Sequence, residues 1–137
     1  MNHRLLTRTE FRETVLQRSN GICCVPECGA PAVDAHHILN RNLFPKPEEF
    51  GGYFYANGAQ LCNSHHYEAE LTRLTTEQLR EWCSVPVLLP IGWDESKSYD
   101  TWGNEVISEY SRSAGPLFED EGFQKILKLA QLRWQFQ

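Results

Sequence analysis

Two short segments concentrate residues able to bind metal or move protons. They are Asp34-Ala35-His36-His37-Ile38 and Asn57-Gly58-Ala59-Gln60-Leu61-Cys62-Asn63-Ser64-His65-His66-Tyr67-Glu68-Ala69-Glu70. Upstream stand Cys23, Cys24 and Cys28. Together they offer more thiolate and imidazole ligands than one metal ion can use, which predicts two neighbouring sites, one for folding and one for chemistry. Cys62-x2-His65 presents two tetrahedral ligands on a tight turn, and Cys28 with either Cys24 or Cys23 completes a Cys3His set. Thiolate plus imidazole with no redox demand favours structural Zn2+. Closing residues 24–65 into a loop through such a site contributes folding free energy directly and holds the two segments together. Ordinary buried thiols are the plainer alternative, but ligand types in two separated clusters argue against it.

The second set is His36, His37, His66 and Glu70. Adjacent residues of a strand point to opposite faces, so His36 and His37 suit two roles, one as ligand and the other as base. His66 and Glu70 are four apart and share one face of a helix.

At these residues the chain resembles the HNH (ββα-metal) nuclease family. The resemblance is carried by Cys23/Cys24 with Cys28, by His36-His37-Ile38, by Gly51-Gly52, and by Asn57-x4-Cys62-x2-His65-His66, and it covers about a third of the chain. It implies a ββα-metal core at about residues 20–75 with a zinc knuckle and flanking N- and C-terminal helices. By the same resemblance His36, His66 and Glu70 would hold a catalytic divalent cation (Mg2+, Mn2+, Ni2+ or Zn2+). His37 would be the general base, Asn57 would hold His37 by a hydrogen bond, and Arg41 would grip a phosphate near the scissile bond. Asp34, two residues before His36, would accept a hydrogen bond from a ligand histidine. The implied activity is hydrolysis of DNA phosphodiester bonds. An imidazole titrating near neutrality suits the water-activating step. Two departures from the family pattern stand out. His65 replaces a fourth zinc cysteine, and Glu70 replaces a histidine or asparagine. The exchanged assignment, with His65 at the catalytic cation and His66 on zinc, stays open at this point.

The elements that must position these groups are legible in part. Thr7-Arg8-Thr9-Glu10 has capping-box spacing and starts a helix over 8–19, with Phe11 and Val15 on its apolar stripe and Asn20-Gly21 after it. Pro26, Gly29 and Pro31 make knuckle-like turns, and residues 32–38 form a short strand that can begin a hairpin. Residues 39–59 read as a long loop, a length that calls for a function or anchored ends. A turn entering a helix follows from Leu61 to about Leu74. Thr75 then caps a second helix with Gln78 as its reciprocal partner. Residues 85–90 read as strand or extended linker and 92–103 as loop. Phe123, Ile126, Leu127, Ala130 and Trp134 place a terminal helix at 119–136. The tryptophans read as packing residues rather than base-stacking platforms, and Cys83 as a buried thiol.

The 137 residues amount to one domain, 1–137, of class α+β. Five cysteines, two of them adjacent, suit metal binding and free thiols better than a disulfide framework, which places the chain in a reducing cytoplasm, that of a bacterial or phage-infected cell. No run is apolar enough for a membrane, and the N-terminus lacks a signal-peptide core. The net charge of −5 counts against a broad DNA-binding surface. The charge is uneven, however: residues 1–47 hold six Arg/Lys against four Asp/Glu. Arg18 and Lys46 are further candidates for backbone contacts. DNA is the expected partner, with a delivery or recognition protein or a second copy supplying specificity. The alternative function is a non-catalytic, zinc-stabilised module that binds nucleic acid or protein. A zinc deaminase fits poorly, because no His-x-Glu stands with a Pro-Cys-x2-Cys.

Overall fold

The computed structural model describes residues 3–108 and 111–112. The expected terminal helix at 119–136 lies outside them. The described chain is a mixed α+β structure. Its helices are α1 (Arg8–Leu16), α2 (Asn63–Glu70) and α3 (Thr76–Cys83), and its strands are β1 (Asp34–His37), β2 (Gly58–Leu61), β3 (Val106–Ser108) and β4 (Ser111–Arg112). None of the described helices is long and apolar enough to cross a membrane.

β1 and β2 pair antiparallel, with Asp34 opposite Leu61 and His37 opposite Gly58, and α2 follows β2 directly. That register sets the two histidines of β1 across from the backbone of the second ligand-rich segment. Strand parity then divides them. Asp34 and His36 meet α2, whereas His37 turns toward α1.

Both capping boxes form. The Thr7 side chain accepts from Glu10 N, and Thr75 from Gln78 N, each with the reciprocal bond. α1 is shorter than its spacing predicts. It ends at Leu16, and the chain passes through a tight turn at Arg18–Gly21 with Ser19 and Asn20 in the left-handed region. β1 is likewise shorter than the expected 32–38. Residues 39–59 are not structureless. Three short 3-10 turns (Arg41–Leu43, Pro47–Gly52 and Tyr55–Asn57) fold the segment onto itself before β2 begins at Gly58. They bury Leu39, Leu43, Phe44 and Phe54 as a second core, against which Leu88, Leu89, Trp93 and Tyr99 pack. Residues 85–90 take no regular structure but contribute to that core.

The first core lies under the ββα unit and contains Cys23, Ile38, Ala59, Leu61, Cys62, Ala69 and Leu79. α1 closes the other side of the sheet with Phe11 and Val15, both buried. It comes in close at Gly58. A methyl there would lie 2.9 Å from Phe11 Cε2 and closer still to Val15 Cγ2, so this strand position has to be side-chain-free. The Arg18 guanidinium donates to the carbonyls of Gly58 and Tyr55 and lies over the Tyr55 ring, pinning the end of α1 to β2. Arg18 is therefore structural rather than a DNA-backbone contact.

Candidate metal centre and the adjoining cleft

Cys23, Cys28, Cys62 and His65 bring their ligand atoms within 4.8 Å of one another. Cys62 Sγ lies 3.3 Å and Cys23 Sγ 3.5 Å from His65 Nδ1, and Cys28 Sγ is 4.0 Å from Cys62 Sγ. Tetrahedral zinc with Zn–S bonds of about 2.3 Å requires sulfur atoms about 3.8 Å apart, so the donor set fits the ion in type and in spacing. The upstream half is shaped by local turns. Cys28 N donates to Val25 O at 3.1 Å, Glu27 and Gly29 take positive φ, and Cys23 N donates to Ala30 O at 2.9 Å. The downstream half is a helix start, where Cys62 is the N-cap of α2 and its sulfur accepts from His65 N. Burial works to raise the Cys62 thiol, but hydrogen bonds from the His65 backbone and from Cys23 and Cys28 outweigh it and hold it below its ordinary value. Burial pushes Cys23 up to about 11. A zinc ion would deprotonate it.

The tetrad takes Cys23 and leaves Cys24 out. The two are consecutive in the chain, and their side chains part toward different partners. Cys24 N donates to Gln60 O, and its thiol meets Cys83 on α3. Hydrogen bonding to Cys83 and then burial raise the Cys24 thiol. His65, not His66, joins the thiols, which closes the alternative left open by the sequence.

Beside this cluster lies a cleft of about 400 Å³, lined by Asp34, His36, His37, Arg41, His66 and Glu70 together with Arg8, Phe11, Arg12, Tyr53 and Trp102, among others. His66 sits between two carboxylates. Its Nδ1 is 3.1 Å from Asp34 Oδ2, and its Nε2 is 3.2 Å from Glu70 Oε1. The His36 ring centroid is 5.1 Å from that of His66, and His36 Nε2 is buried with no hydrogen-bond partner among the described residues. Burial first, then the neighbouring His66 and His37, hold His36 well below the ordinary imidazole value. The donor atoms of His36, His66 and Glu70 do not converge as the zinc tetrad does. Among the described residues the tetrad is the one group of three or more His, Cys, Asp or Glu that meets that spacing.

His37 stacks on Phe11 at 4.6 Å and meets the edge of Tyr53 at 5.0 Å. Its Nε2 is buried without a partner among the described residues. Burial and then Arg41 lower it to about 4, against a hydrogen bond to the Gly51 backbone that works the other way. The imidazole is therefore neutral at pH 7. Arg41 is exposed, and its Nη1 lies 3.4 Å from the Tyr53 hydroxyl.

Asn57 does not hold His37 directly, as the resemblance implied. It is 1% exposed. Its Oδ1 accepts from Leu39 N at 2.9 Å, and its Nδ2 donates to Leu39 O at 3.0 Å and Gly52 O at 3.1 Å. It thus clamps both backbone groups just past β1 to the Gly51-Gly52 turn, and Gly51 in turn bonds His37. Lys46 lines a different pocket, beside Glu49 and Trp93.

Several cleft residues escaped sequence reasoning. Phe11 reads as core on the helical stripe, and it does pack, but against the His37 ring. Tyr53 lay in the segment read as loop and carried no periodic signal. Trp102 Nε1 donates to Glu70 O at 2.8 Å and fixes the end of α2 from a segment with no local pattern. Comparisons with protein-family models, with curated proteins and with solved structures found no match to this chain.

Proposed function

We propose that this protein is a metal-dependent endonuclease that hydrolyses DNA phosphodiester bonds, with β1, β2 and α2 as a ββα-metal core and the Cys3His zinc site as its clasp. The observation that carries the reading is the Asp34–His66–Glu70 chain facing the orphaned nitrogen of His36 in the cleft that also holds His37. A histidine whose Nδ1–H is taken by a carboxylate keeps its Nε2 lone pair free for a cation. His66 and Glu70 present an imidazole and a carboxylate 3.2 Å apart, donor types that divalent cations accept. His36, His66 and Glu70 would hold the ion. When bound it would supply charge stabilisation to the phosphate and the departing oxygen.

The remaining work falls to the chain's own groups. His37, neutral and held between Phe11 and Tyr53, would accept the proton of the attacking water once substrate entry opens its buried, unpartnered ring nitrogen. Arg41 offers a planar set of donors to a phosphate oxygen. The Gly51-Gly52 turn, tied down by Asn57, keeps the His37 ring in one orientation. Zinc keeps β1 and α2 in register and takes no part in the reaction.

One observation favours a second reading, a non-catalytic zinc-stabilised module that binds nucleic acid or protein. Among the described residues the thiol-rich tetrad alone reaches metal-binding spacing. Metal content and cleavage separate the two readings. The endonuclease should carry one tightly held zinc, take up a further divalent ion and nick or cut plasmid DNA in Mg2+ or Mn2+. His37→Ala should keep the zinc and the fold and lose cleavage by 100-fold or more, the scale on which general bases act (~10²–10⁴). One zinc with no second ion and no cleavage establishes the binding module instead, and equal cleavage by His37→Ala removes the base assignment.

A further inference from the structure

The cleft is divided by charge. The carboxylates gather about His66, whereas the cations Arg8 and Arg41 are the groups whose charge acts on His37. Arg8 and Arg12 are four apart on α1 and line the same cleft. Both are exposed. Arg12 directs one donor to Val33 O at 3.3 Å, which keeps its guanidinium against the entry to β1. Arg8 makes no hydrogen bond or ion pair among the described residues. It also occupies the first position of α1, right after the Thr7 cap, in a first turn where the helix dipole favours an acid such as Glu10 and disfavours a cation. An exposed arginine with no partner among the described residues, in a place that the helix dipole disfavours, is available to a partner outside the chain. The docking of Phe11 and Val15 on β2 holds α1 in place, so both arginines are carried on a rigid element.

Resting on the nucleic-acid reading above, we propose that the Arg8–Arg12 edge of α1, continued by Arg41, is a phosphate-binding ridge that grips the DNA backbone beside the scissile bond. The ridge explains how an acidic chain can bind a polyanion. The positive charge needed is local, and it sits on an element outside the ββα unit. The carboxylates opposite leave room in the same cleft for a cation rather than for a second phosphate.

The test is equilibrium binding of a short DNA duplex by the full-length, zinc-loaded His37→Ala protein, which removes cleavage from the measurement, across a range of salt concentrations. Each phosphate that is no longer neutralised reduces the steepness of the fall of log K with log salt, the magnitude of the slope, by about 0.9. Arg8→Gln in this background should lower the slope by about one such step and weaken binding several-fold. Arg8→Gln with Arg12→Gln should lower it by about two steps. Arg8→Lys should retain the slope. Arg4→Gln, which removes a cation that pairs with Glu10 away from the cleft, should leave it unchanged. Unchanged slopes for the α1 variants, an equal loss for Arg4→Gln, or no binding of duplex by the parent protein each overturn the ridge. The two proposals can fail separately. If the wild type cleaves DNA while the α1 variants bind normally, only the ridge falls. If the salt slope depends on Arg8 while the wild type never cleaves, the ridge stands and the endonuclease falls.

Discussion

Adjacent residues of this chain repeatedly do different jobs because neighbouring side chains diverge, alternating across the strand β1 and turning by about 100° per residue along the helix α2. Cys23 enters the zinc tetrad and Cys24 meets Cys83. His36 faces His66, and His37 lies on Phe11. His65 and His66 divide between the tetrad and the cleft. Asn57 shows what one buried side chain can organise, with three backbone bonds to Leu39 and Gly52. Asn57→Ala leaves those groups unpaired in a buried site. The expected loss is about 2–4 kcal/mol, at roughly 1–3 kcal/mol for each buried polar group left bare, with some recovered by relaxation. The denaturant midpoint measures it. The buried histidines predict a pH dependence of stability. His37 titrates at about 4 in the folded protein against an ordinary 6.5, so the unfolded chain binds a proton that the folded chain refuses between those values. Its contribution is intact above pH 6.5 and is lost as pH falls toward about 4. The slope is about 1.4 kcal/mol per pH unit for each such proton. Melting temperatures recorded without added divalent cation should drop through this window. The drop should be shallower for His37→Ala, while His36, lowered in the same direction, keeps part of it.

At the scale of elements, caps and close approaches decide where the functional groups stand. The two capping boxes were legible because Thr7 with Glu10, and Thr75 with Gln78, are local reciprocal pairs. The pairing of β1 with β2 was legible only as a hairpin, since its register depends on Asn57, Gly58 and the turns folded between the strands. Gly51 and Gly52 take φ of 75° and 62°, which allows the chain to double back beneath His37. Gly58 admits α1 against the sheet. Gly58→Ala should therefore displace α1 at a cost of about 1–3 kcal/mol, the range for an overpacked core. The disrupted Phe11–His37 stacking should appear as a shifted imidazole resonance. The same displacement should weaken DNA binding, because α1 carries Arg8 and Arg12.

For the molecule as a whole, a small chain is held around a metal clasp with a polar cleft on its flank. The tetrad joins Cys23 and Cys28 to the start of α2, across the sheet and the long connection between its strands. Cys62→Ser should lose zinc and melt at a markedly lower temperature, and a strong chelator should do the same to the wild type, because ligand binding to such a site is folding free energy. Normal zinc content and melting in Cys62→Ser would contradict the structural assignment. Ligand types, the spacing of Cys62 with His65 and of His66 with Glu70, the caps of α1 and α3 and the α+β class all follow from the sequence, because each depends on residues a few positions apart. Which of Cys23 and Cys24 joins the tetrad, what Asn57 bonds, the pairing of Asp34 with His66, and the gathering of Arg8, Phe11, Tyr53 and Trp102 in one cleft with His37 were decided only in three dimensions. Those choices turn on strand parity and on packing between segments up to about a hundred residues apart (Arg8 and Trp102), and no local pattern encodes such contacts.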